Sequence, residues 1–410
     1  MDTQSITYRK LRRWTWTVAT AALLLLPTLA TAQKKELSQA RTYIKSRTKN
    51  YAQADQITTK LLRDSANRQD KRIYQVLFEA VRGQYNQANE RLYLKQRQDT
   101  AAFFNLARRM FNVAEALDSL DMRPDKKGRV NPEYRQKHAA LLNTYRPNLF
   151  NAGSWFIRKA NWQEAYSYME QYMDCARQPL FTAFNYLATD SRMAEAAYWA
   201  TYSAYRMGDA DRTLRYHDMA MRDTAHADFT LQFTAEAHRL HDNNVSYVAT
   251  LEEGFRRYPT FGYFFPRLMD AYMAAGQYDQ ALSLADSALT ICDTCDLYLF
   301  AKSSALLRME RWQESLVYSE RIISRNDSLP EPYFNAGTAY LNLAERSEAQ
   351  ADKRQLLSYY QKARTFMEYY RRLMPEEKQK WGPALYRIYL QLNLGKQFDE
   401  VDRLLREPQK

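Results

Sequence analysis

The sequence predicts an all-α fold, a right-handed α-solenoid of stacked helix–turn–helix pairs, on three observations. Gly is 10 and Pro is 12 in 410 residues, too few for a turn-rich β architecture. The long segments are dominated by Ala, Leu, Arg, Gln and Glu, which lose little rotamer freedom in a helix. Large and small residues return at a fixed offset of 34: Tyr51 and Ala54 are followed by Tyr85 and Ala88, and Tyr278 and Ala281 by Trp312 and Ser315. Within each unit apolar residues recur at helical spacing, and neither helix of a pair can bury its face alone. Stacking neighbouring pairs makes one continuous core.

From the N-terminus, residues 1–32 read as an export signal. A basic stretch with Arg9, Lys10, Arg12 and Arg13 precedes an apolar run from Trp14 to Leu29 and the small residues Ala30-Thr31-Ala32. Cleavage is expected after Ala32; the competing reading is an uncleaved inner-membrane anchor over 14–32. No other stretch approaches a membrane span, so residues 33–410 are expected in an extracytoplasmic compartment, periplasmic or secreted. Residues 33–121 form a first group of repeats, ending in an amphipathic helix from Ala101 to Leu120 with Phe104, Ala107, Phe111, Ala114 and Leu117 on one face. Residues 122–132, with Pro124, Gly128 and Pro132 among charges, are a loop and the expected boundary. Residues 133–410 form a second group, with units over 147–177, 194–226 and 229–259, the last closing on Pro259. The unit at 330–375 carries about 14 extra residues between Leu343 and Leu356, which lengthen its helices, and 380–406 caps the array.

The positions Phe265, Leu268, Tyr272, Gly276, Tyr278, Ala281 and Ala288 resemble the tetratricopeptide repeat consensus, and the resemblance extends over most of the chain after residue 32. It departs from the pattern in places, as at Ala210 where an aromatic is expected. The resemblance implies a helical superhelix used for protein recognition, and an exported member looks like the scaffold and assembly factors of Gram-negative envelopes. It also implies a concave groove lined mainly by the first helix of each pair. Carried onto this sequence, the groove positions are Phe150, Asn151, Ser154 and Arg158; Tyr198, Trp199, Tyr202, Tyr205 and Arg206; then Phe233, His241, Tyr263, Arg267, Phe300, Arg308, Phe334, Asn335 and Asn342. Asn151 and Asn335 stand in matching Phe-Asn-Ala-Gly segments, where family members use Asn to hydrogen-bond a peptide backbone. Tyr, Trp and Arg are the residues that make binding hot spots. The basic pairs that clamp a C-terminal carboxylate in the family do not recur in neighbouring units. An internal extended segment or a helix is therefore the expected occupant.

Chemistry beyond binding is not expected. The net charge of +12 would attract nucleic acid or acidic partners, but Lys and Arg alternate with Asp and Glu along the chain, as on a solvated helix surface. Export argues against nucleic acid, and no glycine-rich phosphate cradle or nucleophile elbow is present. His238 and His241 with Asp242 could share a metal face but read as exposed helix-end residues. The pairs Asp118/Asp121 and Glu252/Glu253 read as solvated helix surface rather than as glycosidase carboxylates. Cys292-Asp293-Thr294-Cys295 lies between helices, as a local disulfide or two idle thiols. No catalytic residue, metal or cofactor is expected. The expected function is a non-catalytic protein–protein interaction scaffold of the cell envelope. A carbohydrate or peptidoglycan binder is the alternative, suggested by 31 Tyr and 7 Trp.

Overall fold

A computed structural model describes residues 33–347 and 353–406. The expected signal or anchor over 1–32 lies outside them. No strand is present among the described residues, and no helix there is long and apolar enough to cross a membrane. The chain divides into two compact units, one ending at Phe233 and the other beginning at Thr234. The expected boundary loop lies inside the first.

The first unit opens with helical backbone over 33–45 (α1), followed by α2 (Tyr51–Arg63), α3 (Lys71–Tyr93) and α4 (Thr100–Asp121). Asn50, Asp70 and Asp99 each cap the following helix, their side chains accepting from backbone N–H groups that have no partner within the helix. Helix α4 covers the predicted segment, and all five predicted apolar residues are buried. The 122–132 loop is pinned at both ends by carboxylates expected to face solvent. Asp121 accepts from Lys71 Nζ and the Tyr134 backbone N–H, both at 2.8 Å, and Asp118 takes the Arg135 guanidinium through two bonds of 2.7 Å. Both carboxylates are buried, because a loop that re-enters the helix stack needs charged anchors at its roots. Burial pushes the Asp121 carboxyl up, but its Lys71 and backbone partners outweigh it and hold it below the usual range. Then come α5 (Arg135–Tyr145), α6 (Pro147–Arg158) and α7 (Trp162–Asp174). Two short helical pieces follow at Pro179–Phe184 and Tyr186–Thr189 (α8), where no repeat was expected. Helix α9 (Met193–Met207) is followed by a second helix broken at Tyr216 into α10 (Ala210–Arg215) and α11 (His217–Ala220). The division between the units falls within α12 (Ala227–Leu240).

The second unit is more regular: α13 (Asn244–Arg257), then the pairs α14 (Phe264–Ala274) with α15 (Tyr278–Ile291) and α16 (Asp296–Arg308) with α17 (Trp312–Ile323). After these come α18 (Pro330–Ser347) with α19 (Lys353–Leu373) and α20 (Lys378–Gln391) with α21 (Gly395–Arg406). At 18 and 21 residues, α18 and α19 exceed the 13 and 12 of the preceding pair, as the inserted residues predicted. The turns inside four successive pairs, beginning with that after α9, each use one left-handed residue. Gly208, Asp242, Gly276 and Glu310 have φ of 71°, 52°, 70° and 58°, each 34 residues after the last. The next residue, Asp209, Asn243, Gln277 or Arg311, is the N-cap of the second helix. This backbone period is the signature of helix pairs of the tetratricopeptide type, and it persists where the side chains do not repeat. Close approach within and between pairs relies on small residues. At Gly254 a Cβ would meet the buried Phe264 ring at 2.3 Å, and at Gly337 it would lie 3.2 Å from the Met367 backbone nitrogen.

Candidate binding cleft

In the second unit the first helices α14, α16, α18 and α20 together line a cleft of about 450 Å³. Helix α16 presents Phe300, Ser304, Leu307 and Arg308, one face at four- and three-residue steps, while the adjoining face buries Leu299, Ser303 and Leu306. Helix α18 presents Glu331, Phe334, Asn335, Thr338 and Asn342 at the same spacing. Met273 closes the cleft from α14, Lys380 from α20 and Tyr370 from the second helix α19. The volume lies in the range that holds a few side chains of a ligand, and apolar surface with a few placed polar groups is the usual composition of such a site.

The polar groups of the cleft are fixed from behind. Ser303 is fully buried, with its hydroxyl 3.0 Å from the Ser315 hydroxyl and 2.7 Å from that of Ser319, so α16 and α17 approach closely through small polar side chains. The Asn335 amide donates from Nδ2 to Ser303 Oγ at 3.3 Å and Ser304 Oγ at 3.0 Å. The amide is thereby oriented, and its side chain is buried rather than waving into solvent. Lys380 pairs with Glu377 at 3.2 Å, and that hydrogen bond raises its pKa. Arg308 is exposed and, among the described residues, makes no ion pair. The cleft thus carries two cations against the single carboxylate of Glu331.

The residues carried over from the repeat resemblance fall into separate places. Arg308 and Asn335 meet in this cleft together with Phe300, Phe334 and Asn342. Tyr263 and Arg267 do not line it. The Tyr263 hydroxyl donates to Glu236 at 2.7 Å, and Arg267 lies over the Tyr263 ring at 3.9 Å. His241, also in the second unit, does not line it either, and the other candidates belong to the first unit. Tyr198 is buried, stacked on His226 with centroids 4.3 Å apart, and burial pushes its hydroxyl up to about 12. Tyr202 and Tyr205 are half-buried; both pack on Phe233, at 5.6 and 4.6 Å. Arg206 is exposed, donates to the Tyr202 hydroxyl at 2.8 Å and covers the Trp162 ring at 4.5 Å. Phe150 is buried edge-on to Tyr172, whereas Asn151 and Arg158 on the same helix are exposed.

Several cleft residues were not singled out from the sequence. Ser304 and Leu307 lie four and seven residues after Phe300, and Thr338 lies four after Phe334, so the helical period alone could have found them. Tyr370 and Lys380 had no such signal, because only packing brings α19 and α20 to the cleft. Among the described residues no three His, Cys, Asp or Glu side chains are grouped as metal ligands. Glu252 of the surface pair accepts from the Tyr272 hydroxyl, and Glu253 pairs with Arg257 at 2.9 Å.

No family model and no curated protein matches the chain. Among solved structures it is similar to the C-terminal part of a TPR (tetratricopeptide) repeat-containing protein from Cytophaga hutchinsonii, with 10% identity, 62% of this chain and 92% of that one covered, and a TM-score of 0.43. It is similar to a TPR repeats protein from Bacteroides fragilis, with 16% identity, 63% and 98% covered, and a TM-score of 0.31. A third is the TPR2AB domain of yeast Sti1, solved as a pHSP90 complex, with 9% identity, 63% and 99% covered, and a TM-score of 0.24.

Proposed function

We propose that this chain is a non-catalytic scaffold of the cell envelope, which holds an extended segment of a partner protein in the cleft between α14 and α20. One observation carries the reading: a cleft of about 450 Å³ in which Phe300, Leu307 and Phe334 alternate with Ser304, Asn335, Thr338 and Asn342, and to which Arg308 offers an unpaired charge. An extended segment has backbone donors and acceptors that need partners, and side chains that need pockets; this lining supplies both. With Nδ2 committed to the serines, Asn335 offers its amide oxygen to a partner's backbone N–H. Arg308 and Lys380 favour a segment with an Asp or Glu side chain. The envelope assignment rests on the export pattern that ends at Ala32.

The carbohydrate reading is weaker, because sugar stacking needs open ring faces. Arg206 covers Trp162, and Phe233 packs on Tyr202 and Tyr205.

The test is affinity capture from envelope extract by the whole chain, run beside Arg308→Glu and Asn342→Ala variants, with bound material identified by mass spectrometry. The reading expects a specific protein that the native chain retains and Arg308→Glu loses, with thermal stability unchanged. Capture equal in the native chain and both variants, or of glycan alone, overturns it.

A further inference from the structure

Helices α15 and α16 are joined by Cys292-Asp293-Thr294-Cys295, a tight turn in which the Cys295 N–H donates to the Cys292 carbonyl at 3.4 Å. Both cysteines are thiols in the structure; Cys292 is exposed and Cys295 half-buried. A turn of this type brings its first and fourth Cα atoms within about 7 Å. A disulfide spans Cα separations of about 4.4–6.8 Å. The backbone therefore already sits in the range a bridge requires.

The turn is also held from outside. Arg325, just beyond α17, donates to the Thr294 carbonyl at 2.6 Å and lies 3.5 Å from Asp296, while Arg321 of α17 pairs with Asp293 at 3.8 Å. Tyr298, set edge-on to Phe265 with centroids 4.5 Å apart, has its hydroxyl raised by burial and then by the nearby Cys295 and Cys292 sulfurs. The third cysteine, Cys175, is buried in the first unit, and burial pushes its thiol up to about 12. It is the contrasting, inert case.

We infer that Cys292 and Cys295 are a dithiol–disulfide pair, which closes by exchange with a small-molecule disulfide of the glutathione class. The exposed Cys292 thiolate attacks one sulfur of the glutathione disulfide. A mixed disulfide forms on Cys292 and one glutathione thiolate leaves. The Cys295 thiolate then attacks Cys292 Sγ, forming the ring and expelling the second glutathione. The two protons from the protein thiols end on the two glutathione thiolates, so the protein loses two hydrogens and the small disulfide is reduced. Closure fixes the root of α16, the helix that carries Phe300 and Arg308 into the cleft.

The experiment treats the native whole chain with glutathione disulfide, quenches with an alkylating agent under denaturing conditions, and reads intact and peptide masses. The expected product is lighter than the reduced protein by two hydrogens, with Cys175 alone alkylated and no retained glutathione. Cys295→Ser is expected to stop at a stable mixed disulfide on Cys292. Arg325→Ala, which loosens the turn, is expected to slow ring closure severalfold without unfolding the chain. Glutathione persisting on Cys292 of the native protein as long as on Cys295→Ser, or both cysteines carrying adducts without a ring, overturns the assignment.

Discussion

Both units carry guanidinium–carboxylate pairs between helices, Arg371 with Glu400 and Arg387 with Glu345 in the second, but the more buried ties differ between them. In the first, guanidinium–carboxylate clamps join residues far apart in sequence. Asp55 of α2 takes Arg109 of α4 through two bonds of 2.7 Å and also accepts from Gln84 of α3, so one carboxylate binds three helices. Arg146 is buried between the Tyr172 and Tyr186 rings, at 3.7 and 3.8 Å, and pairs with Asp190, which also accepts from the Tyr172 hydroxyl. The second unit uses a lighter device that recurs. Tyr272, Tyr340 and Tyr389 on first helices donate to Glu252, Glu320 and Glu368, each on the second helix of the preceding pair. The three pairs are 20, 20 and 21 residues apart. A regular stack meets the same geometry at each step and can reuse one contact. The first unit, with the 122–134 loop and the short pieces at 179–189, meets a different geometry each time and needs a specific charged clamp.

Removing the buried clamp gives the largest expected effect. Arg146→Ala leaves the half-buried Asp190 without its cation and empties the space between the Tyr172 and Tyr186 rings; breaking a buried pair costs about 3–5 kcal/mol, and the lower end of that range is expected here. Hydrogen exchange is expected to accelerate in α6, α7 and α9 and to stay unchanged in α16 to α19. Equal acceleration in both units would break the comparison. For the second unit, Tyr340→Phe removes one hydroxyl-to-carboxylate tie and is expected to cost about 1–2 kcal/mol. A loss as large as that at Arg146, measured by denaturant unfolding, would show that these ties are not the lighter device.

The third prediction concerns pH. Burial, and then the charge of Asp174, push the Glu115 carboxyl in the first unit from 4.5 up to about 7. A raised acid binds its proton more tightly when folded, so it stabilises at low pH, and that contribution is lost as pH rises from 4.5 through 7. Glu115→Gln is expected to remove this loss, gaining on the order of 1 kcal/mol at pH 8 over the native chain and little at pH 4. Thermal unfolding across that window checks it; a constant difference between the two proteins would rule it out. The smallest effect is at a turn. Glu310 occupies the left-handed position with φ of 58°, where Gly208 and Gly276 stand in other pairs. Glu310→Gly is expected to stabilise by roughly 0.5–1 kcal/mol, and a destabilisation would show that the side chain contributes there.

Much of the second unit was legible because its side chains repeat with its backbone. Tyr278/Trp312 and Ala281/Ser315 marked the second helices directly, and Trp312, Ala281 and Ser315 are all buried. The hinge period was not legible, because Gly208, Asp242, Gly276 and Glu310 share a backbone conformation and not a residue type. Asp118 and Asp121 looked like solvated helix surface, since nothing local shows that a loop returns to cover them. The groove positions on α16 and α18 meet in one cleft, whereas Tyr198, at an equivalent helical position, is buried under His226 and Phe233. Helical spacing names a face, but the neighbour that occupies it is a matter of packing.

The sequence by itself determined the all-α class, the 34-residue helix pairs, the α4 helix with its following loop and the lengthened α18–α19 pair. Each of these follows from local preference and periodicity, which act over a few turns of chain. Only the tertiary structure decided where the units divide, which carboxylates are anchors, and that Tyr370 and Lys380 complete the cleft. Those depend on contacts between helices distant in sequence, whose free energy comes from burial and pairing that no short stretch contains.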